Sequence, residues 1–178
     1  KGLNFELGEG DDVCILGPSG AGKSTFLHIL GSLDRPSRGE LMYRGESLLN
    51  RADHELAQFR NGKLGFVFQF HHLLSEFTAA ENVMMPGRIS GLSPRECEAR
   101  ARLLLDQLGL EPRATHYPSE MSGGEQQRVA IARALFMGPE ILLADEPTGN
   151  LDTHNAKLIQ DLFFTLKTEH KLTIVTVT

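Results

Sequence analysis

Short apolar runs alternate with amphipathic stretches along this chain, and glycines and prolines punctuate the breaks between them. Val13-Cys14-Ile15-Leu16 stops at Gly-Pro-Ser-Gly, the pattern of a buried strand meeting a turn. The spacing of Leu27, Ile29, Leu30 and Leu33 then predicts a helix over 23–33, ended by Pro36 and Gly39. Leu41 to Tyr43 is weakly strand-like, 53–60 reads as a short helix, and Leu64-Gly65-Phe66-Val67-Phe68 is apolar and aromatic enough for a core strand. From Phe70 to Met121 the character changes. Loops containing Pro86, Gly87 and Gly91 lead into a charged amphipathic helix from Ser93 to Leu108, with Ser93 and Glu96 spaced as a capping box and Gly109 as the stop. Gly123-Gly124 opens a helix running through Leu135, Ile141 to Ala144 forms a third buried strand, 155–168 a further amphipathic helix, and Leu172 to Val177 a last strand. Strands alternating with helices predict an α/β fold built on a mostly parallel sheet, in one domain whose core is 1–69 and 122–178 and whose segment 70–121 is a helical subdomain.

The 178 residues are 40% hydrophobic, enough for one sizeable core, and the net charge of −5 provides no basic field of the kind that holds a nucleic-acid backbone. No apolar run approaches the ~20 residues a membrane-spanning helix needs. Cys14 and Cys97 make neither a metal-ligand spacing nor a disulfide framework, which fits a reducing, cytoplasmic setting. The opening residues, acidic and glycine-containing, are unlike a signal peptide, and Lys1 in place of a methionine leads us to expect an upstream portion.

Candidate chemistry begins at Gly17-Pro18-Ser19-Gly20-Ala21-Gly22-Lys23-Ser24, a full Walker A pattern between a predicted strand and a predicted helix, with Thr25 directly behind it. Such a loop turns successive N–H groups around phosphate oxygens at the positive end of a helix, while Lys23 reaches the β- and γ-phosphates and Ser24 ligates Mg²⁺. Ile141-Leu142-Leu143-Ala144-Asp145-Glu146 is an apolar strand delivering two carboxylates at its carboxyl end, a Walker B element. Asp145 is suited to hold the metal, and Glu146, facing elsewhere, to polarise an attacking water. ATP and Mg²⁺ are the ligands these motifs call for.

Met121-Ser122-Gly123-Gly124-Glu125 resembles the signature of the ABC ATPases, Leu-Ser-Gly-Gly-Gln/Glu, with Met121 in place of leucine. Two readings of these residues hold side by side: a second anion-binding helix tip, and a Ser122 N-cap with Glu125 as its capping-box partner. The resemblance implies that Ser122, Gly123 and Gly124 meet the γ-phosphate held by the Walker A loop of a second copy, so that a head-to-tail homodimer shares two sites. It implies a P-loop NTPase fold of the RecA-like kind, with a helical ABC subdomain and a partial antiparallel β subdomain. Gln69 resembles the Q-loop glutamine, which touches Mg²⁺ and the water, and Gly149-Asn150-Leu151-Asp152 resembles the D-loop lining the dimer seam, with Asp152 its acidic residue.

Within the family, Phe70-His71-His72-Leu73-Leu74, Phe77-Thr78-Ala79-Ala80-Glu81-Asn82-Val83 and the D-loop are most similar to ATPases of lipoprotein-releasing systems. ATPases of macrolide exporters and of the cell-division complex share much of this. That likeness implies ATP hydrolysis powering lipoprotein release, at the cytoplasmic face of a bacterial inner membrane, with integral membrane subunits contacted through the helical subdomain and Q-loop region and no nucleic acid bound. Phe70, Leu73, Leu74, Phe77, Met84 and Met85 either line a groove for a helix of a membrane subunit or pack the lobe's own core.

An SMC-type ATPase is disfavoured because no coiled coil separates Gln69 from Ser122, and a two-cassette translation factor because a single Walker A is present. The family's adenine-stacking aromatic lies further upstream of Gly17 than this sequence reaches, so Tyr43 does not fill that role. Its switch histidine follows a strand like Leu172–Thr178, a position that none of His28, His54, His71, His72, His116, His154 and His170 occupies. The expectation is a chain cut short at both ends, binding nucleotide weakly and turning over poorly although its parent is an ATPase.

Overall fold

The computed structural model describes residues 2–170 and 172–178, without the side chains of 169 and 170, so Lys1 and the His170 side chain lie outside the described residues. In chain order the elements are β1 (Asp12–Ile15), α1 (Lys23–Leu30), β2 (Met42–Tyr43), β3 (Glu46–Ser47), α2 (Asp53–Lys63), β4 (Leu64–Val67), α3 (Ala79–Ile89), α4 (Pro94–Gln107), α5 (Gly123–Leu135), β5 (Ile141–Asp145), α6 (Thr153–His170) and β6 (Thr173–Val177). The main sheet is parallel throughout, in the order β1-β6-β5-β4.

Alternation along the strands divides the core in two, as a sheet covered on both faces requires. Leu143, Val175 and Val177 face Leu27 of α1 and Leu56 and Phe59 of α2. Leu142, Ala144 and Ile174 face the opposite way, into a larger cluster with Val83, Leu105, Val129, Ile131, Phe136 and Ile159 from α3 to α6. β1 lies at the sheet edge and is only half covered. Val13 and Ile15 are partly buried while Cys14 and Leu16 are exposed, so the first apolar run is not the fully buried strand its composition suggests.

Two further expectations need correction. The segment around Pro86 and Gly87 is not a loop but the body of α3. Its start carries the same signal recognised at Ser93: the Thr78 side chain accepts from the Glu81 N–H, and Glu81 accepts from the Thr78 N–H at 2.9 Å. Pro86 lacks a donor, yet its carbonyl accepts from Ser90 N–H and from Asn61 of α2 at 3.1 Å, which anchors the helix across the lobe. Gly87 leaves no room for a side chain, since a Cβ there would stand 2.3 Å from Phe136, at the end of α5, and 2.9 Å from the Cys97 sulfur of α4. The helix after the Walker A loop is also shorter than expected, ending at Leu30, because Ser32 turns left-handed at φ 55° and the last turn closes through bonds from Leu33 N–H to the His28 carbonyl and from Ser32 N–H to the Ile29 carbonyl at 2.8 and 2.9 Å.

The weak strand at Leu41–Tyr43 is one arm of a β-hairpin whose second arm, β3, carries no apolar signal. Arg44 and Gly45 take positive φ of 48° and 82°, as a two-residue type I′ turn demands. Arg44 is held there by Glu9 at 2.6 Å and Glu140 at 3.2 Å. Glu140 also accepts from the Tyr43 hydroxyl and from Lys63 at 2.5 Å, fixing the hairpin to the start of β5. Burial, and then this bond to Glu140, push the Tyr43 hydroxyl up to about 12.

Gly87→Ala forces a methyl group against a fully buried Phe136 and should destabilise the fold by about 1–3 kcal/mol. Urea unfolding reads this directly, and an unchanged midpoint contradicts the close-approach account.

Candidate functional site

The carboxyl ends of the four parallel strands form one row. Ile15 pairs with Val177, Val177 with Asp145, and Val67 with Ala144, so the segments leaving β1, β5 and β4 all emerge on the same edge. With about 4.8 Å between neighbouring strands, Ile15 and Asp145 lie roughly 10 Å apart across β6. Open α/β sheets place ligands along such an edge.

The loop from Gly17 to Gly22 leaves β1 and enters α1 through left-handed turns at Gly20, φ 78°, and Gly22, φ 89°. Lys23 reaches back over it, donating from Nζ to the Gly17 carbonyl at 2.7 Å and the Pro18 carbonyl at 3.2 Å. The N-terminus of α1 has no side-chain cap and no acidic residue in its first turn, whereas α3, α4 and α5 are each closed by a Ser or Thr and a Glu. Its positive end is therefore not neutralised by a capping or acidic side chain of its own first turn. Ser19, Ser24 and Thr25 are exposed beside it.

Asp145 is the last residue of β5. Glu146 follows with φ 42°, a left-handed conformation that costs a non-glycine residue about 1–2 kcal/mol. That turn is held by hydrogen bonds from Glu146 N–H to Val177 and from Gly149 N–H back to Glu146, at 2.9 and 3.0 Å. Gln69 converges on the same point. A Cβ on Gly149 would stand 3.0 Å from the Gln69 amide nitrogen and 3.3 Å from the Glu146 carboxylate, so glycine is what lets those two groups share the space. Asn150 completes the link by donating to the Gln69 carbonyl at 3.1 Å. Sequence reasoning missed both roles, which depend on a contact between residues far apart in the chain.

Ser122 caps α5. Its N–H and hydroxyl donate to Glu125 at 2.8 and 2.9 Å, and the Glu125 N–H returns a bond to the hydroxyl at 3.3 Å. The bond from the Ser122 N–H, then one from Arg113 and then that from the Ser122 hydroxyl, hold the Glu125 carboxyl down to about 2. Gly124 abuts Asn155, which a Cβ would meet at 2.4 Å, and Gly123 faces Leu151. Asp152 in turn caps α6, accepting from Asn155 N–H at 2.9 Å and from its side chain at 2.6 Å, contacts that lower the Asp152 pKa. The serine-diglycine tip thus rests on the segment 151–155 of its own chain, and none of the Walker A glycines lies against it.

One buried polar side chain ties this helix to the strand carrying the two carboxylates. Gln127 of α5 is 1% exposed and donates to the Pro147 carbonyl at 2.7 Å. Arg133, on the same helix, donates to the His71 and His72 carbonyls at 2.8 and 2.6 Å, holding the segment after Gln69. The apolar residues there divide between the two expected roles. Leu73 and Met84 belong to the core, while Phe70 and Leu74 are 65% and 44% exposed. No helix among the described residues is long and apolar enough to cross a membrane.

The family profile described as ABC transporter matches residues 1–149. The lipoprotein-releasing system ATP-binding protein LolD of Bdellovibrio bacteriovorus is 57% identical over the whole chain, which covers 81% of that relative. LolD of Syntrophus aciditrophicus is 54% identical, again over the whole chain and 80% of the relative. Among solved structures, the dimeric bacterial ABC transporter cassette MJ0796 superposes with a TM-score of 0.91 at 44% identity, covering all of this chain and 78% of that one. A dimeric post-hydrolysis state of the same cassette, bound to ADP and Pi, gives 0.91 at 43% identity and the same coverage.

Gly149→Ala should leave the fold intact, because its two tightest neighbours are the free ends of side chains and the Glu146 carbonyl stands at an ordinary contact distance of 3.4 Å, but shift the Gln69 amide or the Glu146 carboxylate by a few tenths of an ångström. The expected result is ATP hydrolysis slowed about 3- to 10-fold with nucleotide binding retained. Steady-state kinetics with a parallel binding titration check it, and an unchanged kcat argues against the shared space.

Proposed function

The chain belongs to the ABC transporter family of ATPases, and from that membership we propose that it is the ATP-hydrolysing subunit of a lipoprotein-releasing transporter, working as a pair of copies on the cytoplasmic side of a bacterial inner membrane. The LolD relatives at 57% and 54% identity support the transported substrate class, and the solved cassettes support the pairing. The observation that carries the chemistry is the convergence of Gln69 and Glu146 on Gly149, at the sheet edge where the uncapped helix α1 begins.

ATP binds with its phosphates in the Gly17–Gly22 loop, where Ser19, Gly20 and Gly22 present backbone N–H groups, Pro18 and Ala21 close the turn between them through the bond from Ala21 N–H to the Pro18 carbonyl, and Ser24 and Thr25 lie at the start of α1. Lys23 exchanges the Gly17 and Pro18 carbonyls for phosphate oxygens, keeping its ammonium satisfied at each stage. Ser24, Asp145 and Gln69 offer a hydroxyl, one carboxylate and an amide oxygen. This hard-donor set suits Mg²⁺, which takes few protein ligands alongside substrate phosphates. When bound, the ion would neutralise charge on the phosphates.

Glu146 orients a water and takes its proton as the water oxygen bonds to the γ-phosphorus and the bond to ADP breaks. Ser122, Gly123 and Gly124 of the second copy stabilise the charge on the transferred group, and Asp152 lines the seam between copies. Phe70 and Leu74, exposed beside the Gln69 segment, dock an apolar helix of the membrane subunit, with 70–121 as the lobe that carries it.

Glu146→Gln should lower ATP hydrolysis by about 10²- to 10⁴-fold while ATP binding persists and paired copies accumulate, as followed by size-exclusion chromatography with ATP. Hydrolysis at the parent rate removes Glu146 from the mechanism. Leu74→Asp should abolish co-purification with the membrane subunits while leaving the thermal midpoint unchanged. Normal assembly of that variant places the docking surface elsewhere.

A further inference from the structure

The helix tip that meets the γ-phosphate carries an anion of its own. Glu125 closes the cap on Ser122 with one carboxylate oxygen, which places a negative charge within hydrogen-bond distance of the very serine that must approach a phosphate. Repulsion between like charges at this range is large in a seam from which water is being expelled. A carboxylate capping a helix needs no cation to do so. Glu55, Glu81, Glu96 and Glu120 cap helical turns with no arginine or lysine within 4.0 Å among the described residues. Glu125 differs. Its other oxygen accepts from Arg113 Nε at 2.7 Å, making the only ion pair to a capping glutamate among the described residues.

Arg113 is not there by accident of a long side chain. It ends the helical turn Glu111–Arg113, and the strand of loop behind it is pinned to the start of α3, whose Ala79 and Ala80 N–H groups donate to His116 and Ala114 at 2.8 and 2.9 Å. Arg113 Nη1 also lies 3.4 Å from His116 Nε2. The guanidinium is thus delivered from a fixed base onto the far side of Glu125, leaving the Ser122 side of the tip open.

We propose that Arg113 is a positioning residue for the shared nucleotide site: it neutralises Glu125, so that the tip formed by Ser122, Gly123 and Gly124 can close on the γ-phosphate held by a second copy. This rests on the reading of Ser122 as a phosphate contact given above. Arg113 itself touches no substrate. A variant lacking it leaves an unpaired carboxylate facing the phosphate, and removing that carboxylate relieves the defect.

The test uses the intact protein in the Glu146→Gln background, with ATP-driven pairing of copies measured by analytical ultracentrifugation and thermal melting run in parallel. Arg113→Ala should raise the protein concentration needed for half-maximal pairing about 10-fold, and adding Glu125→Gln should bring it back to within about 2-fold of the parent. If Arg113→Ala lowers the melting point below the assay temperature, Arg113→Lys and Arg113→Gln replace it, and the charged variant should pair about 10-fold better. Pairing of Arg113→Ala at the parent's level overturns the proposal, and so does a double variant as impaired as the single one. Should the Glu146→Gln parent bind ATP yet never pair, the shared-site reading itself fails and takes this inference with it.

Discussion

The register of four parallel strands is the constraint from which the site follows. Because Ile15, Val177 and Asp145 share a hydrogen-bonded row, the Gly17–Gly22 loop, the two carboxylates and the glutamine after β4 open onto one edge. A one-residue slip of β5 would turn Leu142 and Ala144 away from one core and Leu143 away from the other. Packing on both faces therefore defends the geometry of the chemistry. The strain at Glu146, held by its bond to Val177, belongs to the same row.

Helix α5 spreads that order outward. Its tip bears Ser122 and the two glycines, Gln127 grips the Pro147 carbonyl just beyond the carboxylates, and Arg133 grips the two carbonyls after Gln69. Gly124 leaves room for Asn155, whose partner Asp152 begins α6. Burial of Arg133 lowers its pKa without a compensating acid, so the two carbonyls are what make that position tolerable.

Much of this was legible in the amino-acid sequence. The parallel sheet, the Walker loops and the Ser93 and Ser122 caps depend on local pattern, and local pattern survives in one dimension. The helix through Pro86 was not read, because two helix-breaking residues outweighed the Thr78–Glu81 box that starts it and Gly87 owes its identity to Phe136 across the lobe. β3 was missed because Glu46-Ser47 has no apolar signature and the turn is stabilised by Glu9 and Glu140. Gly149 and Asn150 were read only as part of a seam loop, without their contacts to Gln69 and Glu146, and Gln127 and Arg113 were not read as site residues. Each acts on a partner that only the fold brings near, and a glycine or arginine alone carries no hint of which.

The central claim is that the loop around Lys23 in one copy and the tip at Ser122 in another enclose one nucleotide. A crystal structure of the intact protein with a non-hydrolysable ATP analogue tests it most directly. The account predicts the γ-phosphate between Lys23 Nζ of one copy and the Ser122 hydroxyl and Gly124 N–H of the other, with Glu146 beside it. A γ-phosphate contacted by a single copy, with the Ser122 tips facing solvent, would contradict it.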